Sequence, residues 1–452
     1  MLNEEFWGHL VQLKSVTGDS PLARLTNQHL ASSELRRTRF LARFLDGFHL
    51  KNCLISDVDG RQITLDGKRV VNFASANYLG LEQHPQVKSA VKAAVDRLGT
   101  HSGCSRIFAS HTNIVRLEQE ISKMVGAEKT LICANTSHTH QGVISSLFTQ
   151  PNTTLFLDRF AHTSLYQAAL IAKAKGARLI KVDIRNEDEL IENFQKHGSH
   201  TNALLIDGVY SMSGEIPRLK WLNRVCQSHQ VILYVDDAHG IGIMGETGGG
   251  VAEEFNLDFS NMILVGGLQK GMGSYGGFVS GQSGFIDLMR VTNKAYIFSG
   301  TLQPHAVAGA LAAIEISQSQ EGRRLRSRLK EISLRVRREL WDMGFDDVPG
   351  GDTPIIPVPV GGDVRTLMAG RKLLDLGVYV NSVLFPAVPK GQGILRLSLS
   401  ATHEDAEVYL LLQALRDLKS EWDSTPGWKE NLGYMKVIAS RQWALHKGSR
   451  GI

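Results

Sequence analysis

The sequence predicts an α/β protein with a mostly parallel central sheet in a large domain and a smaller α+β domain at its C-terminal side. Three short apolar runs, ALLIDG, VILYVDD and MILVGG, each end in polar or glycine residues and are separated by helical segments. Such runs are typical of buried parallel strands, which place a functional site at their carboxyl ends. Beyond about residue 300, long charged helices lead to a second group of strands.

The elements before this sheet are a charged N-terminal segment and a small hairpin sheet. Residues 1 to about 50 show helical periodicity, with LRRTRFLARFL as an amphipathic stretch. From residue 53 to about 75, β-branched runs alternate with Asp-Gly turns, which predicts a hairpin sheet. A helix is then predicted to begin at Pro85, with an apolar face made by Val87, Ala90, Val91, Ala94, Val95 and Leu98.

The elements beyond about residue 300 form the predicted smaller domain. PIIPVPV, VYVNSVLFP and ILRLSLS predict strands, and a final helix is expected to begin at Thr402, with Glu404 and Asp405 in its first turn. The predicted units are an N-terminal helical arm and hairpin sheet (1–65), a large domain (66–305), a small domain (306–422) and a basic tail (423–452).

Composition and charge favour a soluble intracellular protein that binds no nucleic acid. The 452 residues are 42% hydrophobic, and the net charge of +5 is spread along the chain. The most basic cluster, GRRLRSRLK followed by RVRRE, alternates with apolar residues at helical spacing, as on a solvated helix face. No run approaches the roughly 20 apolar residues of a membrane span, and the N-terminus does not resemble a signal peptide. We therefore expect a cytoplasmic protein with reduced thiols at Cys53, Cys104, Cys133 and Cys226, which form no metal-binding pattern.

The stretch VGGLQKGMGSYGGFVSG (265–281) holds seven glycines and a single lysine, Lys270. Alone, it is compatible with a solvated loop that carries a surface lysine. Glycines also let a backbone pass close to a bulky bound group. A lysine in such a loop can form a Schiff base with pyridoxal phosphate (PLP). On this stretch alone, both interpretations stay open.

A second motif, VILYVDDAHG, lies thirty-four residues upstream of the lysine and carries Asp236 and His239. Alone, this pair is compatible with an acid and a histidine in a turn. If the strands that end here and before Lys270 are neighbours, they present a carboxylate, an imidazole and an amine at one sheet edge. The trio suits PLP, because a carboxylate keeps the pyridine nitrogen protonated and an imidazole can bond the phenolic oxygen. The spacing fits no metal site, and GxxxxGK[ST] does not occur.

Eight motifs follow one another between about residues 40 and 420: NFASANYLGLEQHP, GTHSGCSRIFASHT, LDRFAHTSL, DGVYSMSGEIP, VDDAHGIGIMGETGGG, LQKGMGSYGGFVSG, IFSGTLQP and LRLSLSATHE. With these motifs the chain resembles the α-oxoamine synthases, which are fold-type-I PLP enzymes. The resemblance implies a fold-type-I transferase whose large domain binds pyridoxal 5′-phosphate. It also implies an acyltransferase that condenses an α-amino acid with an acyl thioester, from CoA or an acyl carrier protein, and releases carbon dioxide to give an α-amino ketone. A homodimer with a shared active site is expected.

The resemblance assigns the cofactor roles residue by residue. Lys270 is implied to hold the cofactor as a Schiff base and to act as acid and base at the substrate Cα. Asp236 is implied to pair with the pyridinium nitrogen, and His239 to meet the phenolic oxygen. His162, in DRFAHTSL, is implied to stack on the ring and to act with Lys270 in catalysis. Outside its motif, His162 would pass for a half-buried polar histidine.

Further roles concern the phosphate, the substrate and the second subunit. Ser211 in GVYSMSG is implied to lie near the phosphate. Arg396 and Asn77 are implied to bind the substrate, and a guanidinium holds a carboxylate through two parallel hydrogen bonds. Thr301 in SGTLQP is implied to reach the cofactor from the neighbouring subunit.

The chain departs from the family pattern at the phosphate and at the substrate. Thr136 and Ser137 stand where relatives have a glycine and an aromatic residue, and their hydroxyls can bind phosphate. Gly267 replaces a phosphate-binding threonine, Gln269 replaces a small residue and Ala76 replaces a substrate-facing asparagine. His138 and His140 are expected near the phosphate end.

Three alternatives stay open at the level of sequence. Another fold-type-I reaction, transamination or side-chain cleavage by a lyase, would use the same Lys270 and Asp236. The acyl donor is open between CoA and a carrier protein. A non-catalytic partner subunit is disfavoured by the presence of the reactive residues, but Gly267 and Ala76 keep it open.

Overall fold

The computed structural model of the chain describes residue 17 and residues 20–32, 53–345, 348–349 and 351–424. LRRTRFLARFL and nearly all of the predicted tail lie outside these residues. The helices are α1 (Pro21–Leu30), α2 (Pro85–Leu98), α3 (Thr112–Val125), α4 (Thr136–Leu147), α5 (Thr163–Ala174), α6 (Glu187–His197), α7 (Leu219–Ser228), α8 (Gly250–Glu254), α9 (Ser283–Thr292), α10 (Lys294–Ile297), α11 (Pro304–Gln318), α12 (Gln320–Asp342), α13 (Asp363–Asp375) and α14 (Asp405–Ser424).

The strands form three sheets within the described part of the chain. In sheet order, the first sheet is β1-β2-β3-β12, the second is β4-β10-β9-β8-β7-β5-β6 and the third is β11-β14-β13. The strands are β1 (Ile55–Asp59), β2 (Gln62–Leu65), β3 (Lys68–Asn72), β4 (Lys129–Cys133), β5 (Thr153–Asp158), β6 (Arg178–Val182), β7 (Thr201–Asp207), β8 (Val231–Asp236), β9 (Met262–Gly267), β10 (Gly277–Gly281), β11 (Ile355–Gly361), β12 (Val378–Tyr379), β13 (Asn381–Val383) and β14 (Gly393–Ser398).

The central sheet confirms the predicted α/β architecture. ALLIDG, VILYVDD and MILVGG are the adjacent strands β7, β8 and β9, and they run parallel. β5 and β6 continue the parallel set, whereas β10 is antiparallel to both of its neighbours. Because β7 to β9 are almost entirely buried, their apolar runs fill the core on both faces. Their carboxyl ends therefore come together at one edge, where Asp207 and Asp236 lie opposite each other in the ladder.

The hairpin sheet near the N-terminus is confirmed, but VYVNSVLFP, predicted as part of the smaller domain, forms two strands, of which β12 joins this sheet and β13 the third sheet. Gly60 and Gly67, in the two Asp-Gly turns, have φ values of 59° and 80°, a conformation that glycine adopts without a steric penalty. β12 joins this hairpin in parallel, by pairing Val378 with Val71. The segment just before the large domain thus packs on a strand from the far end of the described chain.

The last sheet and helices α12 to α14 build the predicted C-terminal α+β part. Ile355–Gly361 pairs with Gly393–Ser398, and the apolar faces of both strands are buried. The final helix begins at Asp405 and not at Thr402. The Glu407 carboxylate accepts a hydrogen bond of 2.9 Å from the Glu404 amide, as in a capping box, so Glu404 is the residue that precedes the helix. Across the described residues, no helix is both long enough and apolar enough to cross a membrane.

Candidate active site

A cleft opens at the carboxyl ends of β7, β8 and β9. Its walls combine hydroxyls, imidazoles, two carboxylates and a lysine amine. The residues that line it are Thr136, Ser137, His162, Ser164, Asp207, Val209, Ser211, Asp236, Ala238, His239, Gln269 and Lys270. The predicted carboxylate, imidazole and amine therefore do meet at one sheet edge, on the neighbouring strands β8 and β9.

Lys270 lies in a tight turn between β9 and β10. The turn is closed by hydrogen bonds from the Gly273 amide to the Lys270 carbonyl and from the Leu268 amide to the Gly276 carbonyl. Gly273 has a φ of 56°, and a Cβ there would lie 2.5 Å from the Glu82 amide nitrogen. The glycine is therefore required by the fold of the turn itself.

Burial lowers the pKa of the Lys270 amine and the Arg396 charge lowers it further, whereas the Asp236 carboxylate raises it. Desolvation disfavours the charged form of a lysine. The amine is thus more easily freed of its proton than an exposed lysine amine. This property suits a lysine that forms a Schiff base.

Asp236 ends β8 and is buried at the base of the cleft. Burial alone raises the pKa of this carboxyl, but the attraction and hydrogen bond of His140, then the Lys270 charge, outweigh burial and lower it to about 2. His140 Nε2 lies 2.8 Å from Asp236 Oδ2, and the Ala238 amide donates to Oδ1 at 3.0 Å. Asp236 is therefore held as a carboxylate.

The structure corrects the expected place of His140. Its imidazole does not lie at the phosphate end. It is fully buried between Asp236 and Tyr234, whose hydroxyl lies 3.0 Å from His140 Nδ1. Its helical neighbour His138 is in the first turn of α4, where its amide donates to Asn135. No local sequence signal distinguishes the two histidines, because only the packing of α4 on the sheet directs one inward.

His239 follows β8 and contacts Tyr78, which the sequence analysis did not single out. His239 Nδ1 lies 2.7 Å from the Tyr78 hydroxyl. Burial lowers the pKa of His239 well below its usual value, and the charges of Lys270 and Arg396 add to this effect. A neutral imidazole therefore borders the cleft. Tyr78 lies within the NYLG portion of the first family motif, which is the signal that could have found it.

His162 precedes α5 and caps it. Its Nδ1 accepts a hydrogen bond from the Ser164 amide at 3.3 Å and lies 2.7 Å from the Ser164 hydroxyl. Burial lowers the pKa of His162 despite the opposing charge of Asp236. The His162 amide donates to Asp207 Oδ1 at 3.0 Å, so this carboxyl positions the histidine.

Asp207 is a cleft residue that the sequence analysis missed as a site residue. It ends ALLIDG just as Asp236 ends VILYVDD, and this repeated acid at a strand end could have revealed it. Burial and the neighbouring Asp236 charge raise the pKa of Asp207 well above its usual value. Of the two adjacent carboxyls, Asp207 therefore takes up a proton more readily than Asp236 does.

Hydroxyl and amide donors lie at the other end of the cleft. Thr136 and Ser137 begin α4, whose N-cap Asn135 accepts a hydrogen bond from the His138 amide. The first amides of a helix lack intrahelical acceptors and favour anions. Gly277 in β10 packs against this turn so closely that a Cβ would lie 2.4 Å from the Thr136 nitrogen. Ser211 lines the same cleft.

Arg396 reaches the site from β14. Its Nε donates to the Ser211 carbonyl at 2.6 Å and its Nη1 to the Ser398 hydroxyl at 2.8 Å. The guanidinium is buried and fixed beside the cleft. Two other predicted residues are not among those that line it. The Asn77 carbonyl accepts from the Ser400 hydroxyl at 2.9 Å, and the Thr301 hydroxyl is buried with no hydrogen-bond partner within the described chain.

No group of three or more potential metal ligands occurs among the residues that the structure describes. The cleft instead fits PLP. A deprotonatable lysine, a carboxylate held as an anion and a helix N-terminus with hydroxyls match the aldehyde, the pyridine nitrogen and the phosphate in turn.

Comparison with known proteins gives the same result. The family model for aminotransferase class I and II matches residues 68–415. An 8-amino-7-oxononanoate synthase from Citrifermentans bemidjiense is 34% identical over 364 residues, which span 80% of this chain and 92% of that protein. A serine palmitoyltransferase from Sphingomonas wittichii superposes with a TM-score of 0.80 at 25% identity, over 88% of this chain and 99% of that one. A structure of SPT with PLP also superposes with a TM-score of 0.81 at 25% identity, over 87% of this chain and 98% of that one.

These findings place the chain among the fold-type-I PLP enzymes. It belongs to the aminotransferase class I and II family and, within it, to the α-oxoamine synthases, which are PLP-dependent acyltransferases. The predicted family, fold and cofactor are confirmed. The alternative of an aminotransferase or lyase reaction gains no support from these comparisons.

Proposed function

We propose that this protein condenses an α-amino acid with an acyl thioester and releases carbon dioxide, which yields an α-amino ketone. The observation that carries the proposal is that Lys270 and Asp236 line one cleft and that the Arg396 guanidinium is bonded to Ser211, another residue of its wall. An amine of lowered pKa, a buried carboxylate and a fixed guanidinium each meet a different requirement of that reaction.

PLP, when bound, supplies a conjugated ring that withdraws electrons from the substrate Cα. Asp236, kept an anion at neutral pH by its low pKa, would hold a proton on the pyridine nitrogen. His239, neutral and held by Tyr78, would offer a hydrogen bond to the phenolic oxygen. His162, whose position is fixed by Ser164 and Asp207, would cover the ring.

Lys270 and Arg396 act on the amino acid. Arg396 binds the substrate carboxylate and so orients the bond at Cα that must break. Lys270, once its amine is free, takes the Cα proton and later returns one, since its lowered pKa brings it closer to the working pH. Such general acid–base catalysis contributes roughly 10²–10⁴-fold to the rate. Asn77 is proposed to contribute to substrate binding.

The proposed assembly is a cytoplasmic homodimer with a shared site. Phe108 and Phe298 are 85% and 80% exposed, and their loops are joined by a hydrogen bond of 2.5 Å from the Ser105 hydroxyl to the Ile297 carbonyl. Exposed aromatics of this kind are typical of protein–protein interfaces. Thr301 lies three residues after Phe298 and is therefore close to these exposed aromatics, which supports its contribution to the neighbouring subunit's site.

The test is a product analysis of the purified PLP-loaded protein with panels of amino acids and acyl-CoA or acyl-carrier thioesters. The proposal predicts release of free thiol and carbon dioxide that depends on both substrates. An amino-acid-dependent 2-oxo acid without thiol release would instead identify transamination. Comparison of the two thioester panels decides between CoA and a carrier protein.

A further inference from the structure

The side chain of Gln269 occupies space that a residue at position 267 would normally fill. Gly267 is the last residue of β9, and Gln269 lies two residues further on, next to Lys270. A Cβ built on Gly267 would lie 2.9 Å from Gln269 Oε1 and 2.7 Å from Thr136 Oγ1. Any larger residue at 267 would therefore displace the carboxamide. The glycine and the glutamine are complementary in shape.

This carboxamide is positioned at the donor-rich end of the cleft. Gln269 lines the cleft, and its Nε2 lies 3.4 Å from Thr136 Oγ1 in the first turn of α4. Its Oε1 is buried and has no hydrogen-bond partner in the described structure. The two ends of a carboxamide are interchangeable by a flip, so the Thr136 hydroxyl can satisfy the oxygen and leave the NH₂ group as a donor. Buried polar atoms are rarely left unpaired, which points to a ligand group at this wall.

The charges around the cleft indicate which group of the ligand lies next to Gln269. Lys270 is the one lysine or arginine among the described residues that line the cleft. Asp236, at the end of β8, is held as a carboxylate and disfavours an anion next to it. A phosphate must therefore lie at the α4 end and be held by neutral donors and by helix amides. When neutral donors hold the phosphate, each side-chain donor contributes a substantial share of the binding free energy.

We propose that Gln269 binds the cofactor phosphate through its carboxamide, in the space that Gly267 leaves free beside Thr136. This inference rests on the proposed placement of PLP in the cleft. It gives a chemical role to two positions at which the sequence departs from the family pattern. The absence of a side chain at Gly267 leaves room for the Gln269 carboxamide, since a larger residue there would keep the carboxamide away from the phosphate.

The test compares PLP with pyridoxal, which carries the same aldehyde and ring but no phosphate. Equilibrium binding of each to the cofactor-free full-length protein is followed by absorbance for the wild type, Gln269→Ala and the isosteric Gln269→Glu. Loss of one hydrogen bond to an anion predicts a PLP Kd raised about tenfold to a hundredfold in Gln269→Ala. Gln269→Glu is expected to weaken PLP further, because its carboxylate repels the phosphate.

Pyridoxal serves as the internal control for folding. Its Kd is expected to stay within about twofold in all three proteins, because the ring contacts are unchanged. Gln227→Ala, which removes an amide that donates to Asp258 outside the cleft, is expected to change neither ligand's binding. The ³¹P chemical shift of bound PLP should change in Gln269→Ala and not in Gln227→Ala.

Two results would overturn the inference while leaving the proposed function intact. One is an unchanged PLP Kd in both Gln269 variants. The other is a parallel loss of PLP and pyridoxal, which would mean that Gln269 only shapes the cleft. A wild-type protein that binds neither ligand would overturn both the inference and the proposed function.

Discussion

The imidazole of His140 bonds the Asp236 carboxylate at 2.8 Å, and both side chains are buried. His140 is held from its other side by the Tyr234 hydroxyl. The electrostatic consequence is large, because burial raises the pKa of Asp236 and its contacts with His140 are the strongest opposing influence. Asp236 can thus remain an anion at a site where an isolated carboxyl would take up a proton.

Replacement of His140 by Asn is expected to raise the pKa of Asp236. Since the low pKa of about 2 depends on His140, its loss should move the acid limb of the kcat–pH profile upward by about 1–3 pH units. Tyr234→Phe, which removes only the hydroxyl behind His140, is the control and should move the limb less. An acid limb that stays in place in His140→Asn would contradict this role.

The same coupling gives a pH dependence of stability. A carboxyl with a depressed folded pKa stabilises the fold above its unfolded pKa, and this contribution disappears as the pH falls through the folded value. For Asp236 the window lies between about pH 4 and about pH 2. Acid unfolding followed by circular dichroism should begin at higher pH in His140→Asn than in the wild type. Identical acid transitions would indicate that Asp236 has no special partner.

Asp207 and Asp236 form a matched pair for mutation. Asp207 has a raised pKa and Asp236 a lowered one, so Asp207→Asn is expected to be the milder change, and its side-chain oxygen can still accept the His162 amide. We expect near wild-type PLP binding and activity. Asp236→Asn removes the anion and should lower kcat by roughly 10²-fold or more. Equal losses in the two variants, measured as kcat under saturating PLP, would contradict this order of the two pKa values.

Binding of the carboxylate of the amino-acid substrate is expected to depend on Arg396. Arg396→Lys keeps the charge but loses the planar fork and the contacts with Ser211 and Ser398. The KM for the amino acid should rise about tenfold to a hundredfold, with a smaller change for the thioester. The surface variant Arg416→Lys, which keeps an exposed pair with Glu339, is the matched control. An unchanged KM in Arg396→Lys would assign the carboxylate to another group.

A shared active site predicts complementation between two inactive variants. Lys270→Ala disables one subunit's own lysine, and Thr301→Ala disables the residue that it lends to its neighbour. Co-expressed with separate tags and purified as a mixed dimer, they should regain activity, because one of the two sites is then intact. Mixed dimers of two Lys270→Ala chains are the control. A mixed dimer no more active than its parents would argue against a shared site.

The local part of the site was predictable from the sequence, for a physical reason. Lys270, Asp236 and His239 follow buried apolar strands, and parallel strands align their carboxyl ends. The same logic identified β7, β8 and β9, and the Asp-Gly turns identified the hairpin sheet. The sequence analysis did not predict the other four strands of this sheet, β4, β5, β6 and β10. For β6 the reason is that its residues RLIKV are mostly exposed or partly exposed, which gives no continuous apolar run.

What was missed depends on contacts between distant residues. His140 and Asp236 are 96 positions apart, and Arg396 lies 185 positions from Ser211. The pairing of β12 with β3 likewise joins Val378 to Val71. No local pattern encodes such contacts, because they depend on how helices and strands pack. The departures from the family pattern at Gly267 and Gln269 are visible in the sequence. Only the structure shows that the Gln269 side chain lies in the space beside Gly267.

The attachment of the cofactor to Lys270 can be tested by chemical trapping. The PLP-loaded protein is reduced with borohydride, digested and analysed by mass spectrometry, alongside Lys270→Ala and Lys270→Arg. We expect a phosphopyridoxyl group on Lys270 in the wild type, with the absorbance band of the bound cofactor lost in both variants. A modified lysine elsewhere, or a band that persists without Lys270, would contradict it.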